Sequence, residues 1–106
     1  MIEAQQIFAN ALASSGLPAA VRLAVPTTQS LEEHSFDESY IAFLDDQIAL
    51  NARGDAWTER LRQRRARLFA YCHRTLIRGR IVVDDREWSI EVDPEAGKVV
   101  HWETYD

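Results

Sequence analysis

The spacing of apolar residues divides the chain into a helical part and a C-terminal β part. Apolar residues that recur at threes and fours predict a first helix over about residues 3–15; they are Ile7, Phe8, Ala11 and Leu12. Gly16 and Pro18 predict its end. A short helical turn is predicted over Ala19 to Leu23, followed by a loop that contains Pro26, Thr27 and Thr28.

Two longer helices are predicted next. Ser30-Leu31-Glu32-Glu33 matches a capping box, which predicts a second helix from Ser30 to about Ala52, ended by Gly54. Asp55 is a good N-cap for a third helix over about residues 56–77. Gly79 is placed to stop that third helix.

Three strands are predicted after the helices: "IVV" at 81–83, "EWSIEV" at 87–92 and "KVVHWET" at 98–104. Asp84-Asp85 forms the first turn, and the second turn runs from Asp93 to Gly97. This register pairs Val92 with Lys98, Ile81 with Trp88, and Trp88 with Trp102. It puts the large apolar side chains on one face. The opposite face then shows mainly polar side chains: Glu87, Ser89, Glu91, Val99, His101 and Glu103.

These elements predict an α+β fold in which about three N-terminal helices pack on one face of a three-stranded antiparallel meander. The length of 106 residues favours a single domain over residues 1–106, with a helical part over about 1–78 and a sheet over about 80–104. The acidic face of the sheet is then exposed, either as an ordinary solvated surface or as a binding surface.

The charges lie in three blocks along the chain. Residues 1–52 carry a net charge of −6, residues 53–80 carry +7 and residues 81–106 carry −6, for a total of −5. Eleven of the twelve basic residues are Arg, which indicates a GC-rich, bacterial coding sequence. The absence of a long apolar run, of a basic leader and of paired cysteines predicts a cytoplasmic protein.

Motifs that indicate catalysis or a cofactor are missing from the sequence. Cys72 and His73 are adjacent, and neighbours on a helix do not face each other, so a nucleophile–base pair is not favoured. The three His residues and one Cys lack the spacing of a metal site. We therefore expect no enzyme activity, no cofactor and no metal.

The Arg-rich segment 60–80 leaves two interpretations open. Its Arg residues pair with acids elsewhere in the chain, or they bind phosphates in a small nucleic-acid-binding regulator. The acidic blocks on both sides lower the potential that a polyanion meets, which favours internal pairing.

An acidic domain without an evident active site is suited to binding a basic protein. In general build the chain resembles the small acidic immunity proteins that bacteria make against their own nuclease toxins, including those of contact-dependent inhibition. The resemblance implies an antitoxin that occludes the active site of a basic nuclease domain. The expected contact residues are Asp84, Asp85, Glu87, Glu91, His101 and Glu103, and the acidic side of the second helix is the competing surface, with Glu33, Asp37 and Asp45.

Overall fold

The computed structural model describes residues 3–24, 30–51 and 55–105, and the chain divides into two compact units. The sheet unit comprises Met1–His34 and Thr75–Asp106, and the helical unit comprises Ser35–Arg74. The sheet unit has eleven acidic and five basic residues, a net charge of −6. The helical unit has six acidic and seven basic residues, a net charge of +1. The net negative charge of the chain therefore belongs to the sheet unit.

The fold is α+β, as predicted, with a four-stranded antiparallel sheet in the order β1-β2-β3-β4. The strands are β1 (Leu31–Ser35), β2 (Thr75–Val83), β3 (Arg86–Asp93) and β4 (Lys98–Tyr105). Asp84 and Asp85 join β2 to β3 with φ angles of 53° and 61°, as a two-residue type I′ hairpin requires. Ile81 pairs with Trp88, which confirms the predicted register of this hairpin.

Two helices of the sheet unit are α1 (Ala4–Ala13) and α2 (Ala19–Arg22), close to their predicted positions. The core of this unit combines their apolar faces with the sheet: Phe8, Ala11, Leu12, Leu17, Val21, Ile77, Ile81, Trp88, Ile90 and Val92. Gly79 lies in β2 at a point of very close approach. A Cβ atom there would lie 2.5 Å from Cζ of Phe8 and 2.7 Å from Cδ2 of Leu31.

The predicted capping box is wrong, because Leu31–Ser35 is a strand and not the start of a helix. The third predicted helix is also too long, since β2 already begins at Thr75 and Gly79 lies inside that strand. Sheet pairing between segments far apart in sequence overrides the local helix signals in both places. The predicted three-stranded meander is therefore part of a four-stranded sheet, with β1 as the additional strand.

The second hairpin forms as predicted but with another register. Lys98 pairs with Asp93 rather than with Val92, and Trp102 pairs with Ile90 rather than with Trp88. A β-bulge shifts the register between Glu91 and Val92. Consequently Val99 pairs with Val92 and packs against the core, although it was predicted on the opposite face. The rings of Trp88 and Trp102 still meet, with centroids 5.4 Å apart, and Trp102 is 39% exposed.

The helical unit contains α3 (Glu38–Leu50), α4 (Ala56–Leu68) and a 3-10 turn over Phe69–Tyr71. Asp37 caps α3, and Asp55 caps α4 as predicted, accepting a hydrogen bond from the Thr58 N–H at 2.9 Å. Its interior contains Phe36, which precedes α3, and buried apolar side chains from both helices: Ile41, Leu44, Leu61 and Leu68.

The arrangement of the helices differs in part from the prediction. Only α1 and α2 share a compact unit with the sheet, so the picture of about three helices on one face of the sheet is not exact. The loop around Pro26, Thr27 and Thr28, and the helix end at Ala52 and Gly54, lie outside the described residues. The single domain stays a prediction.

Candidate functional site

The six residues predicted to form an acidic binding face do not share one environment. Asp84 and Asp85 are exposed at the tip of the first hairpin, and Glu87 is half-buried beside them. Glu91, His101 and Glu103 are only 3%, 2% and 6% exposed. The prediction of an exposed polar face is therefore wrong for these three residues. Alternation along the strands assigned them correctly to one face, but it does not report whether that face meets water.

The buried polar residues form a row across the sheet. The guanidinium of Arg78 lies 3.6 Å from a carboxylate oxygen of Glu32 on β1 and 3.6 Å from one of Glu91 on β3. Glu91 pairs with His101 on β4, whose Nε2 lies 3.4 Å from Oε2 of Glu103. Oε2 of Glu91 and Nδ1 of His101 are buried without a hydrogen-bond partner among the described residues. This charge row links all four strands.

The competing acidic surface is not one helix face. Glu33 lies in β1, so its assignment to the second helix is wrong. Asp37 is the N-cap of α3, where hydrogen bonds from the Ser39 hydroxyl and backbone N–H hold the pKa of the carboxyl below its usual value. Asp45 lies on α3, and its Oδ1 lies 2.9 Å from Nε of Arg65 on α4. Two of these three acids are therefore occupied within the helical unit.

The Arg-rich segment is divided between two elements. Arg60 to Arg67 lie on α4, whereas Arg78 and Arg80 lie on β2, so the continuous Arg helix over 60–80 is wrong. Arg65 pairs with Asp45 and also stacks on Phe69, with its guanidinium carbon 4.9 Å from the ring centroid. Arg78 pairs with Glu32 and Glu91. The predicted internal pairing is confirmed for these two arginines.

A groove that the sequence did not reveal lies between α1 and β1. It has a volume of about 330 Å³ and is lined by Glu3, Ala4, Gln5, Leu31, Glu32, Glu33 and Ile77. We call it the acidic groove, because three acidic residues and no basic residue line it. Glu3 and Glu33 are 30 positions apart, so no local motif could show that they line one groove. A second groove, of about 290 Å³, is lined by Ser30, Leu31, Glu32, Arg78 and Arg80 and has mixed charge.

Within residues 3–24, 30–51 and 55–105, no group of three or more His, Cys, Asp or Glu side chains is arranged to hold a metal ion. No helix in these ranges has the length and apolar character that a membrane-spanning helix needs. No family model matches the chain, and no match is found among curated proteins or solved structures.

Proposed function

We propose that this protein is a cytoplasmic antitoxin of the immunity-protein type, which binds a basic nuclease toxin and occludes its active site. The observation that carries the proposal is the concentration of negative charge on the sheet unit, which has a net charge of −6. A surface with one sign of charge speeds encounter with a partner of the opposite sign and disfavours partners of the same sign.

The hairpin tip is the part of the predicted face that remains suited to this role. Asp84 and Asp85 are exposed, and the hairpin fixes their backbone in the left-handed region. A fixed backbone reduces the entropy lost on binding, because the loop does not have to be ordered at the interface. Glu87 adds a third carboxylate at the start of β3. We assign the contact to Asp84, Asp85 and Glu87, and we assign Glu91, His101 and Glu103 to the charge row that links the strands.

The proposal is tested by co-expression with the toxin encoded by the neighbouring gene. The double variant Asp84→Asn/Asp85→Asn removes two charges and keeps residues that tolerate a positive φ. We expect it to stay folded by circular dichroism and to bind the toxin more slowly, with a difference that shrinks as salt is raised, because the Debye length is about 10 Å at 0.1 M ionic strength. Cell survival should fall accordingly.

A matched control removes two charges elsewhere. Asp46 and Glu95 are exposed and lie in α3 and in the second hairpin turn. Asp46→Asn/Glu95→Gln has the same net charge as the test variant, and we expect it to protect cells as the parent does. Equal protection by both double variants would refute the assignment to the hairpin tip. A neighbouring gene that encodes no toxin would refute the antitoxin proposal as a whole.

A further inference from the structure

The acidic groove has an apolar floor and a charged rim. Ala4, Leu31 and Ile77 provide the floor and Glu3 and Glu33 provide the acidic rim, whereas the carboxylate of Glu32 lies beside Arg78. Its volume of about 330 Å³ is near the lower limit of small-molecule pockets, which span roughly 300–1,000 Å³. A groove of this size accommodates a long side chain better than a cofactor.

Part of the charge of the groove is not neutralised within residues 3–24, 30–51 and 55–105. Glu3 and Glu33 make no ion pair with any other described residue, and Glu32 is 62% exposed while it shares Arg78 with Glu91. Glu3 occupies the N-cap position of α1, but its side chain makes no capping hydrogen bond. The carboxylates of Glu3 and Glu33 are therefore complementary to a cation, and their removal leaves the described contacts of the fold intact.

The strand beside the groove is an edge of the sheet. β1 is the first strand in the order β1-β2-β3-β4, so no described strand lies on its outer side. An extended peptide that pairs with such an edge gains main-chain hydrogen bonds and places alternate side chains on each face. Glu32 and Glu33 make this edge acidic, which discriminates against segments that are not basic.

We propose that β1 and the acidic groove bind an extended, basic segment of a partner protein by strand addition, with a Lys or Arg side chain in the groove. The aliphatic stem of that side chain lies on Leu31 and Ile77, and its charged end meets Glu3 and Glu33. Long basic side chains suit this geometry, because their stems are apolar and their ends are charged. The inference does not depend on the antitoxin proposal, since it concerns a different surface and holds for any partner with such a segment.

The test uses the acetylated and amidated hexapeptide Thr-Arg-Thr-Arg-Thr-Arg, titrated into the ¹⁵N-labelled full chain and followed by amide chemical shifts. We expect the shifts to concentrate on residues 3–5, 31–35 and 77, and the affinity to weaken as salt is raised. The peptide Thr-Gln-Thr-Gln-Thr-Gln should not bind measurably. An arginine peptide with alternate backbone nitrogens methylated should bind more weakly, because it loses main-chain donors.

Glu3→Gln/Glu33→Gln should weaken binding of the arginine peptide about three- to tenfold, the effect of removing two partly exposed ion pairs. Asp46→Asn/Glu95→Gln, with the same net charge, should leave the affinity unchanged. Equal loss in both variants, equal binding of the glutamine peptide, or shifts concentrated at Asp84 and Asp85 would overturn the inference. Equal binding of the methylated peptide would overturn strand addition. If the peptide does not bind but the protein still protects cells against the toxin, the strand-addition proposal is refuted and the antitoxin proposal is retained. If the peptide binds but the protein does not protect cells, the antitoxin proposal is refuted and the strand-addition proposal is retained.

Discussion

Replacement of Gly79 by alanine tests the close approach of α1 to β2. The new Cβ would lie 2.5 Å and 2.8 Å from two ring carbons of Phe8 and 2.7 Å from Cδ2 of Leu31. Phe8 is fully buried, so its ring has no free space to enter. Overpacking of this kind costs about 1–3 kcal/mol. The lower backbone entropy of unfolded alanine offsets about 0.5–1 kcal/mol of that cost.

We therefore expect Gly79→Ala to lower the free energy of unfolding by about 1–2 kcal/mol, and Tm by about 5–15 °C, measured by urea and thermal denaturation. Two other glycines serve as controls. Gly16→Ala meets nothing within 4 Å and should change stability by less than about 0.5 kcal/mol. Gly97→Ala also meets nothing, but its φ of +65° should cost about 1–2 kcal/mol through backbone strain alone.

A double-mutant cycle separates steric overlap from strain. Phe8→Leu shortens the side chain over Gly79, so its effect should couple to Gly79→Ala by about 0.5–3 kcal/mol and should add to Gly97→Ala without coupling. Additivity of Phe8→Leu and Gly79→Ala would refute the described packing of α1 on β2.

Three further predictions concern charged residues. Glu91→Ala should lower the free energy of unfolding by about 1–3 kcal/mol in urea denaturation, whereas Glu32→Ala should change it by less than about 1 kcal/mol. Both carboxylates lie 3.6 Å from Arg78, but only Glu91 is buried. A larger effect of Glu32→Ala would contradict the assigned burial. The hydrogen bond from His73 to Glu38 raises the pKa of His73 and lowers the pKa of Glu38. The pair therefore stabilises the fold at pH values between these two pKa values. This stabilisation is lost as pH rises through the raised pKa of His73 and as pH falls through the lowered pKa of Glu38. Glu38→Gln should return the pKa of His73 in an NMR titration toward 6.5, and an unchanged pKa would show that the contact is absent in solution. Fluorescence anisotropy with duplex DNA and RNA at about 0.1 M salt should show no tight binding, and sub-micromolar, salt-sensitive binding would favour the nucleic-acid regulator.

Local signals predicted the elements that local interactions determine. The apolar spacing around Phe8 gave α1, Asp55 gave the cap of α4, and Asp84-Asp85 gave a hairpin with the correct pairing of Ile81 and Trp88. Each of these features depends on residues that are close in sequence. The second hairpin turn, closed by a hydrogen bond from the Gly97 N–H to the Asp93 carbonyl at 2.8 Å, belongs to the same group.

The errors arise where distant segments decide the structure. "LEEHS" has one apolar side chain and two adjacent glutamates, and only pairing with β2 makes it a strand. Gly79 permits contact with Phe8, which lies 71 positions earlier, so its role as a close-approach residue has no local signature. The burial of Glu91 and the presence of Glu3 and Glu33 in one groove also depend on contacts between distant segments. The candidate acidic face was therefore predicted in position but not in exposure.

The order of the strands has a consequence for how this protein folds and opens. Two residues connect β2 to β3, and four connect β3 to β4, whereas 39 residues separate β1 from β2. Closing the longer loop costs more chain entropy, so the three-stranded hairpin pair forms early and β1 docks late. By the same reasoning β1 should be the first strand to detach in native-state hydrogen exchange. Since β1 supplies one wall of the acidic groove, the groove exists only in molecules in which β1 has docked. A bound peptide should therefore slow amide hydrogen exchange across β1 more than across β3.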